Sequence, residues 1–343
     1  MKGRKKSSHA DNLTNAYLSG AFDEDRVDAD EKFGDRSKHH QQRKTIRTQA
    51  ARDEAAADGL PVGEVIQVHS LFIEVLAEGV VWRCVQRKTL ARVSDTQIVV
   101  GDLVRFAPAP ELNDAAQNEG VIERIEPRRT VLMRADSFKA IEVHPIVANA
   151  DQMLIVAALH LPEVKWGLVD RMVIAARSGG LSPVICLNKI DTAANEQDLA
   201  DAAAVLAHYE SLGVPTLRTC AISGLGLDAL RDVMKDKTTV LAGHSGVGKS
   251  SLVRAVEPAI DLAALRVGEI SQVHFKGKHT TTSARKFPLS FGGHVIDTPG
   301  VKLFGLWNTA AEDVIDFYPD VDAGTAPPWR AESYERIMAS LER

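Results

Sequence analysis

The chain has 343 residues, 45% hydrophobic and 25% charged, with a formal net charge of −5. That length accommodates two or three domains with separate cores. The balance is that of a soluble globular protein, and the overall charge does not by itself suggest nucleic acid. Cys84, Cys186 and Cys220 are too scattered for a disulfide framework or a cysteine-rich zinc site, so they read as reduced, partly buried thiols of a cytoplasmic protein. The N-terminal MKGRKKSSHADN lacks the apolar core of a signal peptide. The longest apolar run, Met153 to Leu159, is too short to cross a bilayer.

Residues 1–58 are polar and dense in both charge signs, with basic clusters at Arg4 to Lys6 and at Arg43 and Lys44. They are expected to form a mostly disordered tail with a helix near Gln41 to Ala56, either a solvated tail or one that orders on RNA phosphates. Residues 61–134 differ. GEVIQVHS, LFIEVLAE, GVVWRCVQ, TQIVV, LVRFAP and EGVIERIE are short Val/Ile-rich segments punctuated by Gly63, Gly79, Gly101 and Gly120. Five or six such strands predict a small β-barrel. From 145 to 308 strands alternate with helices. MLIVAAL, SPVICLNK, PTLRT, TTVLAG and HVIDT read as buried strands, with helices within 169–179, 196–213 and 227–236. This predicts an α/β sheet covered on both faces. Residues 309–343 read as short helices interrupted by AGTAPPW.

Three motifs carry the chemistry. Gly243-His244-Ser245-Gly246-Val247-Gly248-Lys249-Ser250 fits GxxxxGK[ST] between a predicted strand and a helix beginning at Ser251. Its backbone N–H groups and the helix N-terminus suit phosphates. Lys249 is expected to reach the β- and γ-phosphates and Ser250 to ligate Mg²⁺. Asn188-Lys189-Ile190-Asp191 closes a buried strand, where ligands bind in such sheets. Asp191 can accept from the guanine N1–H and amine, a donor pair adenine lacks. Asp297-Thr298-Pro299-Gly300 closes another strand, placing Asp297 for Mg²⁺ and the Gly300 backbone for the γ-phosphate. The guanine-reading motif ordinarily follows the other two. Here it precedes both, the order of a circularly permuted GTPase.

The segments GDLVRF, NADQMLIVAAL, VDRMVIAA, SPVICLNKID, GHSGVGKSSL, GKHTTT and GGHVIDTPGVKLFGL, spanning about Gly63 to Trp307, resemble the RsgA (YjeQ/YloQ) family. The resemblance implies an N-terminal OB-fold barrel, a permuted P-loop GTPase domain and a C-terminal zinc subdomain. It further implies late maturation of the small (30S) ribosomal subunit, contact with its 16S rRNA, and hydrolysis stimulated by that subunit. The zinc pattern is missing: no cysteine follows Cys220, and the later histidines all lie within the GTPase segment. A short helical tail without zinc is therefore expected. Cys220-Ala221 stands where the family's base-contacting loop has serine and alanine.

The resemblance makes GKHTTT the first switch, with Thr280 or Thr281 on Mg²⁺ and His279 either orienting water or contacting RNA as an exposed loop residue. The position after DTPG is Val301, whose apolar side chain cannot orient water, so unaided hydrolysis should be slow. In the barrel, Arg83, Arg87, Lys88, Arg92 and Arg105 are candidate RNA contacts alongside Arg124, Arg128 and Arg129, the alternative being ordinary solvated charges. Phe72, Trp82 and Phe106 are the few candidates for base stacking. The leading expectation is a monomeric GTPase of small-subunit maturation. The alternatives are a GTP-gated rRNA-binding scaffold with negligible hydrolysis and, less in keeping with NKID and DTPG, a small-molecule kinase.

Overall fold

A computed structural model describes residues 57–87, 97–109, 118–135, 143–260, 284–298 and 311–341. Its first five strands are β1 (Val62–Val68), β2 (Ile73–Ala77), β3 (Val80–Gln86), β4 (Leu103–Pro108) and β5 (Glu119–Ile125). They pair in the order β1-β2-β3-β5-β4, and β4 returns to β1, which closes the barrel. Alternation along each strand turns Val65, Val75, Cys84, Val104, Phe106 and Ile122 inward as one core. The described part of TQIVV, residues 97–100, is not a barrel strand. Only Val100 makes an isolated bridge, to Val147. Ile98 packs into the barrel core while Val100 packs into the neighbouring core, so this stretch is a buried connection between the two.

A hairpin that the sequence did not suggest follows, β6 (Val131–Ala135) with β7 (Val143–Ala148). Next come β8 (Gln152–Ala158), α1 (Trp166–Ser178), β9 (Ser182–Asn188), α2 (Glu196–Ser211), β10 (Thr216–Arg218), α3 (Leu227–Met234), β11 (Thr238–Ala242) and α4 (Lys249–Val256). The strands pair in the parallel order β10-β9-β8-β11. All seven residues of β8 are buried, because helices cover both faces of this central strand. Two cores result. One lies under α1 and α2, the other under α3 and α4.

The last two strands, β12 (Arg285–Pro288) and β13 (His294–Asp297), complete the sheet. β13 lies parallel to β11, and β12 is antiparallel to both β13 and β1. The barrel and the GTPase-type sheet thus form one eleven-stranded sheet joined through β12. β12 was not foreseen as a strand: four residues ending in proline carry little pattern. The architecture is the expected barrel followed by an α/β domain. At the C-terminus, a 3-10 segment (Ala311–Phe317), α5 (Pro319–Asp322) and α6 (Pro328–Leu341) pack on α1 around Ile174, Val314, Tyr318 and Ile337. The helix expected near Gln41 to Ala56 lies outside the described residues.

Candidate nucleotide site

Strands β8, β9, β11 and β13 run parallel, so their carboxyl ends share one edge. β9 ends at Asn188, β11 ends one residue before Gly243, and β13 ends at Asp297. Motifs from three distant stretches of chain meet there for that reason alone.

The loop Gly243 to Gly248 depends on glycine. Gly243 has φ +139°, and a Cβ on it would lie 2.2 Å from the Val156 carbonyl oxygen. Gly248 has φ +96°, and its Cβ would lie 2.4 Å from Asn188 Nδ2. Helix α4 begins at Lys249 directly after this left-handed residue, so its first-turn N–H groups face the loop. Val247 is buried, whereas His244, Ser245 and Gly246 are exposed along the rim. Lys249 Nζ donates to the carbonyls of Gly243 (2.9 Å) and His244 (3.0 Å), which holds the ammonium at the loop. Ser250 is half-buried and Ser251 exposed.

Asn188, 1% exposed, ties the motifs together. Its Nδ2 donates to the Val247 carbonyl at 2.9 Å and its Oδ1 accepts from Thr219 Oγ1 at 3.2 Å. Lys189 takes the left-handed conformation, φ +57°. Its Nζ donates to the carbonyls of Leu161 (2.5 Å) and Gly246 (2.6 Å), so the stem crosses the phosphate loop. Ile190 and Asp191 form a short 3-10 turn, with Asp191 exposed at the edge where a base would present its donors. Cys220 is buried. Its N–H donates to the Leu225 carbonyl (3.0 Å), and its Sγ accepts from the Ser223 N–H (3.4 Å). The thiol therefore performs a turn-stabilising role open to a serine hydroxyl. Ala221 follows on that turn. Thr219 was missed by sequence reasoning, because nothing in its neighbourhood signals a bond to a motif 31 residues earlier.

Thr298 Oγ1 donates to the Leu241 carbonyl at 3.1 Å, anchoring the end of β13 beside β11. Ser250 and Asp297 supply hydroxyl and carboxylate oxygens at this edge, hard donors of the type Mg²⁺ takes. The donor set fits the ion. His279, Thr280, Thr281, Gly300 and Val301, and in the barrel Lys88 and Arg92, lie outside the described residues.

The barrel arginines divide by environment. Arg105 Nε meets Glu126 at 2.5 Å, and its Nη1 donates to the carbonyls of Asp58 and Leu60. Arg124 bridges Asp58 and Glu126, and its hydrogen bond is the chief reason the Glu126 carboxyl lies below its ordinary range. Arg128 pairs with the buried Asp102, and Arg87 meets Glu123 at 2.5 Å. These guanidiniums brace the barrel. Arg83 is exposed and lies 5.1 Å over the Phe72 ring, which stacks on His69 with centroids 4.2 Å apart. Phe106 is fully buried in the barrel core, with Trp82 against it at 5.2 Å, so Phe106 cannot stack on a base.

The sequence model of the RsgA GTPase family matches residues 125–307. The chain is 39% identical over 246 residues to a Vibrio vulnificus (strain YJ016) protein named small ribosomal subunit biogenesis GTPase RsgA 1. That alignment covers 72% of this chain and 66% of the relative. It is 32% identical over 308 residues to small ribosomal subunit biogenesis GTPase RsgA of Haemophilus influenzae (strain 86-028NP), covering 81% and 84%. Among solved structures it is similar to YjeQ from Thermotoga maritima, with TM-score 0.64, 27% identity, and coverage of 82% of this chain and 98% of that one. YloQ, described as a circularly permuted GTPase, shares the fold at TM-score 0.59 and 23% identity, covering 83% and 96%.

Proposed function

Because this chain belongs to the RsgA GTPase family, we propose that it binds guanine nucleotides and hydrolyses GTP to GDP and phosphate during maturation of the small ribosomal subunit. Its partners would be the 30S particle and the 16S rRNA. The observation that carries this reading is the Asn188 side chain, which couples the NKID turn to Val247 of the phosphate loop and to Thr219 before the Cys220 turn. A base held at Asp191 and phosphates held at Gly243 to Ser250 then belong to one rigid site.

In this reading the loop N–H groups and the α4 N-terminus cradle the phosphates. Lys249 exchanges its two carbonyl partners for β- and γ-phosphate oxygens and stabilises the charge that develops on transfer. Lys189 lays its stem along the base while its ammonium stays on the phosphate loop. Ser250, Asp297 and either Thr280 or Thr281 hold Mg²⁺, which supplies charge neutralisation when bound. His279 is the candidate for orienting the attacking water, since Val301 cannot. Arg83, exposed over the half-buried Phe72 that stacks on His69, is a candidate rRNA contact of the barrel.

GTP turnover of the full chain, with and without purified small subunits, tests the reading. Stimulated turnover supports it. Tight GTP binding with no turnover in either case would favour a nucleotide-gated scaffold instead. Asp191→Asn should shift preference from guanine toward xanthine nucleotides, whose ring carries oxygen where guanine has its amine. Equal affinity of the unmodified chain for ATP and GTP would defeat the assignment.

A further inference from the structure

We infer that Glu64 of the barrel and Lys286 of β12 are a positioning pair that holds the magnesium-side aspartate, Asp297, in register, so that the barrel is a structural part of the nucleotide site.

Three observations support this. First, the strand register at Asp297 itself comes from β12. β11 registers with His294, Val295 and Ile296 of β13 and stops, whereas β12 continues to pair Arg285 with Asp297. Among the described strands only β12 registers with Asp297 itself, while Thr298 just beyond it is tied to Leu241 of β11. Second, β12 is short and its other edge belongs to the barrel. Gln67 of β1 registers with Arg285, so Gln67, Arg285 and Asp297 form one row across three strands. That single registered pair is a thin backbone seam. Third, a side-chain lock lies beside the seam. Lys286 Nζ meets Glu64 Oε1 at 2.5 Å, with the Lys286 side chain 4% exposed and Glu64 24%.

A buried ammonium is costly unless it is paired and hydrogen-bonded. Lys286 is therefore satisfied only while β1 stays against β12, and displacement of the barrel exposes it. The pair joins residues 222 positions apart, so no local preference can replace it. In sequence, GKHTTT ends at Thr282, three residues before Arg285, so β12 separates the two switch motifs. A load on the barrel reaches Asp297 through two backbone pairings and this one ion pair.

The inference rests on the GTPase reading above, and the test separates the two. Affinity for a fluorescent GDP is measured on the full chain in excess EDTA and in excess Mg²⁺, for the parent, Lys286→Met, Glu64→Gln and the reversed pair Glu64→Lys/Lys286→Glu. Methionine fills the lysine's space without charge. Glu64 is the more exposed partner, so Glu64→Gln keeps the test open if Lys286→Met fails to fold. Affinity in EDTA should stay within about twofold of the parent, because the phosphate loop and NKID do not touch the seam. The gain in affinity on adding Mg²⁺ should shrink by about fivefold or more, the lower end of coupling between linked sites, and the reversed pair should restore part of it. An unchanged Mg²⁺ gain in both single variants overturns the inference. So does an equal loss with and without Mg²⁺, which marks a purely structural role. A parent that binds no guanine nucleotide in either condition refutes the GTPase reading and the inference with it.

Discussion

Arg330→Ala removes the guanidinium at the centre of a buried polar cluster that anchors the C-terminal segment. Arg330 is 2% exposed. Its Nη1 is bonded to Asp170, its Nε meets Asp320 at 3.3 Å, and its Nη2 donates to the Phe317 carbonyl. The guanidinium also lies 3.9 Å over the Tyr318 ring. Even with Arg330 present, one oxygen of each aspartate, Asp170 Oδ2 and Asp320 Oδ1, has no protein partner. Its loss leaves two buried carboxylates with no guanidinium between them, Asp170 keeping its neighbours Ser333, Tyr209 and Tyr318 and Asp320 keeping His208. Breaking a buried pair costs about 3–5 kcal/mol, against about 5–15 kcal/mol for a whole domain. The core holding residues 311–341 to α1 is small, so the segment should release before the sheet unfolds.

Amide exchange across 311–341 and urea titration measure this. Exchange there should rise strongly, and guanine nucleotide affinity should be retained because no member of the cluster belongs to the phosphate loop or NKID. The deficit also has a pH sign. Burial, opposed by Arg330, holds the Asp170 carboxyl above its ordinary range, and losing Arg330 raises it further. Between the ordinary value of about 3.9 and the raised one, the folded chain binds a proton the unfolded chain lacks. Stability therefore falls as pH rises through that window. The deficit of Arg330→Ala should be smaller at pH 5 than at pH 8. A loss below about 1 kcal/mol, the scale of an ordinary surface change or single hydrogen bond, or one that grows as pH is lowered, would refute this account.

Gly248→Ala forces a Cβ to 2.4 Å from Asn188 Nδ2 at φ +96°. The left-handed backbone costs about 1–2 kcal/mol and the Asn188 to Val247 bond is displaced. Guanine nucleotide affinity should fall about tenfold or more with the far-UV spectrum unchanged; an affinity within twofold of the parent would show that the loop can shift. Burial pushes the Cys84 and Cys186 thiols up to about 12, so both should resist a thiol reagent at pH 8 until urea unfolds the chain. Rapid labelling of both in the native protein would contradict their placement. Elemental analysis should find well under one zinc per chain, since no cysteine follows Cys220; a full, tightly held equivalent would reveal ligands that the residue pattern does not suggest.

Much of the site was legible because its signals are local. GxxxxGK[ST] needs glycines where the backbone turns left-handed and a helix starting at Lys249, and a contiguous octapeptide encodes both. NKID and DTPG were recognisable for the same reason, and their order along the chain was enough to mark the permutation. Buried parallel strands such as β8 and β9 announce themselves as unbroken apolar runs, because both faces are covered. TQIVV looked equally strand-like but serves as a buried connection, since an apolar run reports burial rather than pairing.

The sequence by itself determined most of the strands and helices, though not β6, β7 or β12, together with the phosphate loop and the chemistry of the nucleotide it suits, all properties of residues within a few positions of one another. Only the tertiary structure decided which polar groups meet. Asn188 reaches Val247, 59 positions away. Arg105 serves Glu126 and the backbone turn that leads into the barrel rather than standing free. Lys286 reads as an ordinary surface lysine until β1 lies beside β12 and buries it against Glu64. Hydrogen bonds and ion pairs act over about 3 Å, so their partners depend on how distant strands come to rest, and residue spacing along the chain carries no record of that.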